Sequence, residues 1–199
     1  YGGNYKSYGP QYPRGIQEGN GVPADGDLWV SYSVNKEDMW ISRIPVPVEI
    51  NASAHADDDF SKNKSIAELT DWNIYSPVWA PVSLEDQWLK LQDKDPFDYA
   101  KVERKIPASK ELKVSFDLKA GQNNKGTLQI EFLDENGIAC SRMELTDDGI
   151  FRLKGGSRFA NMMKYEAGKV YHVEAVLSTV DRNIQVYVDG KRVGLRMFY

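Results

Sequence analysis

Apolar and polar side chains alternate with a period of two through most of this chain, and no stretch sustains the three-to-four-residue spacing of an amphipathic helix. In LWVSYSV, Leu28, Val30, Tyr32 and Val34 share one face, with Trp29, Ser31 and Ser33 on the other. After the polar stretch Asn35–Asp38, Met39, Ile41 and Arg43 alternate with Trp40, Ser42 and Ile44. Two such runs joined by a short polar turn predict a hairpin, ended by Pro45 and Pro47, which cannot donate to a ladder. Further on, Leu112, Val114, Phe116 and Leu118 alternate with Lys113, Ser115, Asp117 and Lys119. The same pattern recurs at Leu128–Phe132, Ala139–Leu145, Ile150–Leu153, Tyr171–Leu177 and Ile184–Val188. Turn sequences separate these runs: Asp134-Glu135-Asn136-Gly137, Asp148-Gly149 and Asp189-Gly190. Strands at short intervals with turns between them predict an all-β fold, an antiparallel β-sandwich over residues 66–199.

The pattern also divides the chain. Residues 1–26 are rich in Gly, Tyr, Asn and Pro and carry no hydrophobic period, so they read as irregular; with the hairpin they make a first segment, 1–48. Residues 49–65, with three consecutive aspartates at Asp57–Asp59 and several lysines, read as a linker. The charge balance, 25 Lys plus Arg against 29 Asp plus Glu, provides no basic stripe, which argues against a nucleic-acid partner. No apolar run approaches the roughly 18 residues of a transmembrane helix, so no membrane span is expected. One cysteine, Cys140, excludes an internal disulfide and a Cys-rich zinc site, and is expected to be a small core residue.

Two stretches carry a family resemblance. GKVYHVEAVLSTVDRNIQVYVDGKRVG resembles the penultimate strands of concanavalin A-like and laminin-G-like jelly-roll domains, through Gly168, Tyr171, His172, Val173, Tyr187, Val188, Asp189, Gly190 and Lys191. GDLWVSYSVNKEDMWISRIPVP is similar to the last blade of a sialidase-type (BNR-repeat) β-propeller. That order, propeller then jelly roll, is found in secreted enzymes that degrade acidic polysaccharides. The resemblance implies a concanavalin A-like jelly roll behind a propeller remnant, a glycan partner and a secreted, periplasmic or cell-surface location; a secreted chain without disulfides fits a bacterial envelope better than a eukaryotic extracellular space. Because the chain opens on Tyr1 and GLRMFY stops just after a hairpin turn, it is expected to be completed by further segments, including the rest of the propeller.

Candidate chemistry follows from these placements. Tyr5, Tyr8, Tyr12 and Arg14 combine aromatic faces for sugar rings with a guanidinium fork for a uronate or sialate carboxylate. The plainer alternative is a packed loop with a surface ion pair. Asp93, Asp95 and Asp98 place hard oxygen ligands in one loop, as calcium requires, and jelly rolls resembling this one often bind that ion. Their alternative is a turn at Asp95-Pro96, with Asp98 pairing Arg104 or Lys101. Lys36, Glu37 and Asp38 read as a solvated turn, and His55 and His172 lie where no nucleophilic triad is expected. Trp72, Trp79, Trp88 and Tyr99 form either a glycan platform or part of the core. With no self-contained catalytic set, the leading function is an accessory carbohydrate-binding sandwich of a polysaccharide-degrading enzyme. The rivals are a contribution of Tyr12 and Arg14 to the catalytic unit of a glycoside hydrolase or polysaccharide lyase, and a purely structural brace.

Overall fold

A computed structural model describes residues 10–16, 27–34, 38–45, 55–94, 96 and 99–198. The chain divides into two compact units, Tyr1–Pro107 and Ala108–Tyr199. Tyr5, Tyr8, Lys36, Glu37, Asp95, Asp98 and part of the stretch read as a linker lie outside the described residues.

In the first unit, β1 (Pro10–Ile16), β2 (Asp27–Val34) and β3 (Asp38–Pro45) make a three-stranded antiparallel sheet in that order. The expected hairpin is present, with Val34 opposite Asp38. Arg43 pairs with Asp27 and lies 6.0 Å from the Trp29 ring, and Tyr32 Oη is 2.8 Å from Ser42 Oγ across the same ladder. The strand β1 was not expected, since residues 1–26 read as irregular. Its register slips between Gln11 and Arg14, where three steps on β1 oppose two on β2. Such a bulge erases the alternation, and an edge strand tolerates Pro10 and Pro13, which have no amide hydrogen to donate.

The remainder of this unit holds two short pairs. β4 (Trp72–Tyr75) pairs with β7 (Lys101–Arg104), and β5 (Val82–Glu85) pairs with β6 (Trp88–Leu91). The stretch read as a linker is anchored at its described end. Asp58 accepts a hydrogen bond from Arg104 Nε at 3.0 Å, and the Phe60 ring lies 5.9 Å from that of Trp72. The aspartates there do not merely repel one another, because one has a fixed cation.

The second unit is the antiparallel sandwich. Its strands are β8 (Glu111–Lys119), β9 (Leu128–Leu133), β10 (Ala139–Leu145), β11 (Ile150–Gly155), β12 (Arg158–Lys164), β13 (Val170–Ser178), β14 (Asn183–Val188) and β15 (Lys191–Phe198). They form two four-stranded sheets, β12-β11-β10-β9 and β15-β14-β13-β8. One core lies between them: Met143, Leu145, Phe151 and Leu153 from the first sheet against Val173, Ala175, Leu177, Ile184, Val186 and Val188 from the second. The residues read as inward-facing on β8 and β9, among them Leu112, Phe116, Ile130 and Phe132, pack against that cluster. Two tyrosines enter the core with their hydroxyls satisfied. Tyr165 donates to the Thr146 carbonyl at 2.7 Å, and the Tyr171 hydroxyl accepts from the Glu166 amide at 2.9 Å. At the turn expected between β14 and β15, Asp189 and Gly190 both have positive φ, 50° and 75°, as a two-residue I′ turn demands.

β12 and β15 were not legible as strands. In β12 a register shift opposite Phe151 and Arg152 sets Met162 and Met163 together against the core, so alternation fails there. In β15 the register slips between the Val186–Val193 and Ile184–Met197 partners. Gly194 sits in that irregular stretch at φ +68°, and a Cβ on it would meet Met162 Cγ at 3.0 Å. Gly194→Ala should therefore lower the unfolding free energy by about 1–2 kcal/mol, the cost of a left-handed conformation for a residue with a Cβ. Amide exchange of β14 in increasing urea, in wild type and variant, measures it, and unchanged protection would refute the close fit. Among the described residues no helix is long and apolar enough to cross a membrane.

Candidate functional site

The short β4–β7 pair presents its outer face as a site. In WNIY, period-two alternation turns Trp72 and Ile74 inward and leaves Asn73 and Tyr75 exposed. Register places Asn73 opposite Glu103 and Tyr75 opposite Lys101, so these four side chains share one face. With Ile74 and Tyr99 they line a pocket of about 260 Å³. The Tyr75 and Tyr99 rings stand 5.5 Å apart with an interplanar angle of 52°, and both residues are exposed. Tilted rings of this kind support each other edge to face while leaving ring surface open. At the other end of the pocket wall, Lys101 Nζ lies 2.7 Å from Glu103 Oε1.

The opposite face of the pair is held by Arg104, which is mostly covered. Its guanidinium reaches Asp58 at 3.0 Å and Asp71 at 3.3 Å, and it also donates to the carbonyls of Asp71 and Lys105. A planar fork satisfied by two carboxylates fixes the strand that carries Lys101 and Glu103. The site thus combines two aromatic rings, an amide, an ammonium and a carboxylate. That set can stack on an apolar ring face and exchange hydrogen bonds with several hydroxyls.

Of the residues singled out from sequence, Tyr99 belongs to this site. Tyr75 was missed, although its exposed position in the WNIY alternation was a usable signal. Trp79 is exposed, whereas Trp72 and Trp88 are half-buried, Trp72 against Phe60. Tyr12 and Arg14 sit together on the bulged part of β1, both exposed, Tyr12 with φ +53°. Asp93 is exposed just after β6; Asp95 and Asp98 lie outside the described residues. Among the described residues no three His, Cys, Asp or Glu side chains are grouped as metal ligands. Arg104 engages Asp58 and Asp71, and Lys101 engages Glu103; the pairing of Asp98 with either falls outside the described residues. His172 lies on the exposed face of β13, its Nδ1 2.8 Å from Asp117 Oδ1. Cys140 packs at the edge of the core and its thiol donates to the Phe132 carbonyl at 3.2 Å. Burial pushes that thiol's pKa up, which favours its protonated form.

Residues 72–199, which include the whole β4–β7 pair and the sandwich, match the protein family described as "Sialidase-like, CBM domain". The chain belongs to that family. The sialidase-like CBM domain begins at Trp72, the first residue of β4, and so contains every lining residue of the pocket. A solved structure titled "Sialidase" is 91% identical, with a TM-score of 0.80; the match covers 100% of this chain and 18% of that one. No curated protein matches.

Proposed function

We propose that this chain is an accessory carbohydrate-binding module of a longer, secreted polysaccharide-degrading enzyme, and that the Tyr75–Tyr99 pocket is where a sugar docks. The observation that carries this reading is a pair of exposed, mutually braced tyrosines beside Asn73, Lys101 and Glu103, inside the span that matches the CBM family. A pyranose presents an apolar C–H face and a rim of hydroxyls. Tyr99 or Tyr75 takes the first, and the amide, ammonium and carboxylate take the second. In this reading the sandwich is a concanavalin A-like jelly roll, and β1–β3 belong to the last blade of a propeller that the rest of the enzyme completes.

Affinity electrophoresis of the whole chain through gels cast with neutral polysaccharides tests the proposal. At least one polysaccharide should retard the chain. Tyr99→Ala should weaken that retardation about tenfold, as expected for loss of an aromatic anchor worth some 1.4 kcal/mol or more. Absence of retardation in every gel, or a Tyr99→Ala variant that binds as wild type does, would overturn it.

One observation favours a second reading. The β1 bulge exposes Tyr12 and Arg14 together. There they can meet an acidic substrate of the longer enzyme. Activity of that enzyme unchanged by Arg14→Ala removes this reading.

A further inference from the structure

The outer face of the β12-β11-β10-β9 sheet carries two cross-strand rows of polar side chains. Register aligns Glu131, Arg142, Lys154 and Phe159 in one row, and Gln129, Glu144, Arg152 and Asn161 in the next. These positions alternate with the inward residues Ile130, Met143, Leu153 and their neighbours, so they point away from the core.

The second row is built around a buried carboxylate. Glu144 is only 3% exposed, and accepts from Arg152 Nε at 2.8 Å and Gln129 Nε2 at 3.3 Å. Arg142 bridges the rows, 2.6 Å from Glu131 and 3.5 Å from Glu144. Both guanidiniums are thereby fixed upright on the sheet. Phe159, 45% exposed, lies beside them, with Arg152 Cζ 4.3 Å and Lys154 Nζ 5.6 Å from its ring centre. Three cations meet two carboxylates here, and the unbalanced one is Lys154. Among the described residues its ammonium has no carboxylate, only the Phe159 ring.

We propose that this face is a second saccharide-binding site, distinct from the Tyr75–Tyr99 pocket and selective for sugars bearing an anionic group, a carboxylate or a sulfate ester. Lys154 holds the anionic group, Phe159 supplies the apolar contact for the ring, and Asn161 and Gln129 offer amides to its hydroxyls. Glu144 touches no ligand; it positions Arg152, whose guanidinium lies over part of the Phe159 ring. Anionic character follows from the charge count, because a neutral sugar would leave Lys154 unmatched.

The test runs the whole chain through gels containing polygalacturonate (carboxylates), dextran sulfate (sulfate esters) or dextran (neither), in about 0.15 M salt, where unspecific surface attraction is largely screened. The chain should be retarded by polygalacturonate, dextran sulfate or both, more than by dextran, and the effective gel names the anionic group. Lys154→Ala should weaken that binding about tenfold, and Lys154→Arg should retain it. Phe159→Ala should weaken it as well, at an unchanged melting temperature. Tyr99→Ala should leave it intact, which separates this site from the pocket. Equal retardation by dextran overturns the proposal, as does wild-type binding by Lys154→Ala. Loss with Lys154→Ala but not with Phe159→Ala also overturns it, since bare charge attraction would then suffice.

Discussion

Met143→Ala should cost about 2–5 kcal/mol of stability, the range measured when a long core side chain is cut to a methyl group. Met143 is fully buried on β10, in the cluster that joins both sheets of the sandwich. Its strand is central in its sheet, with β9 and β11 hydrogen-bonded on either side, so the backbone has little freedom to collapse into the space left behind. Because the chain contains two units, a single bulk signal would mix their transitions. Amide exchange of β10 and β13 in increasing urea reads the sandwich alone. Protection of both strands should fall together, since they line the same core. A loss below about 1 kcal/mol, or a loss confined to β10, would contradict this packing.

Arg152→Ala should be the costliest change on the sandwich surface, at about 1.5–3 kcal/mol, the range for hydrogen bonds to a charged group. Arg152 is itself partly exposed, yet its partner Glu144 is not, and the penalty falls on the partner. Without Arg152 the buried carboxylate keeps only the long contacts to Arg142 and Gln129. Those remaining groups keep the cost under the 3–5 kcal/mol expected for an ion left unpaired in a core. Lys154→Ala, two residues along the same strand and without a carboxylate partner, should cost less than about 0.5 kcal/mol. Amide exchange of β10 and β11 in increasing urea makes the comparison for the two variants. Equal, small effects would show that Glu144 does not depend on Arg152.

How far the sequence reaches is clearest where elements succeed and fail. In β8, β9, β13 and β14 every second residue is apolar, and the structure buries those residues against one core. Period two is enforced by the backbone of any strand, so a half-buried sheet writes itself into the sequence directly. The β1–β2–β3 sheet shows a limit. Its alternation announced a hairpin, but Leu28, Met39, Trp40 and Ile41 are all exposed, so alternation located the strands without deciding their burial. β1, β12 and β15 show a second limit: a bulge in each shifts the phase, and a shifted phase looks like no period at all.

The sites follow the same logic. Tyr99 drew notice as an aromatic residue near a turn, but Tyr75, 24 positions earlier, becomes its neighbour only through the β4–β7 pairing. Likewise Glu144 reads as an ordinary polar residue on a strand. Its burial arises from Arg142, Arg152 and Gln129, which come from its own and two flanking strands. By itself, then, the sequence determined the strand class, most turns and the inward faces of the sandwich, because those depend on neighbours along the chain. Tertiary structure alone decided which polar and aromatic side chains stand together. Those contacts are made across strands, and their partners are set by register and pairing order, which local pattern does not encode.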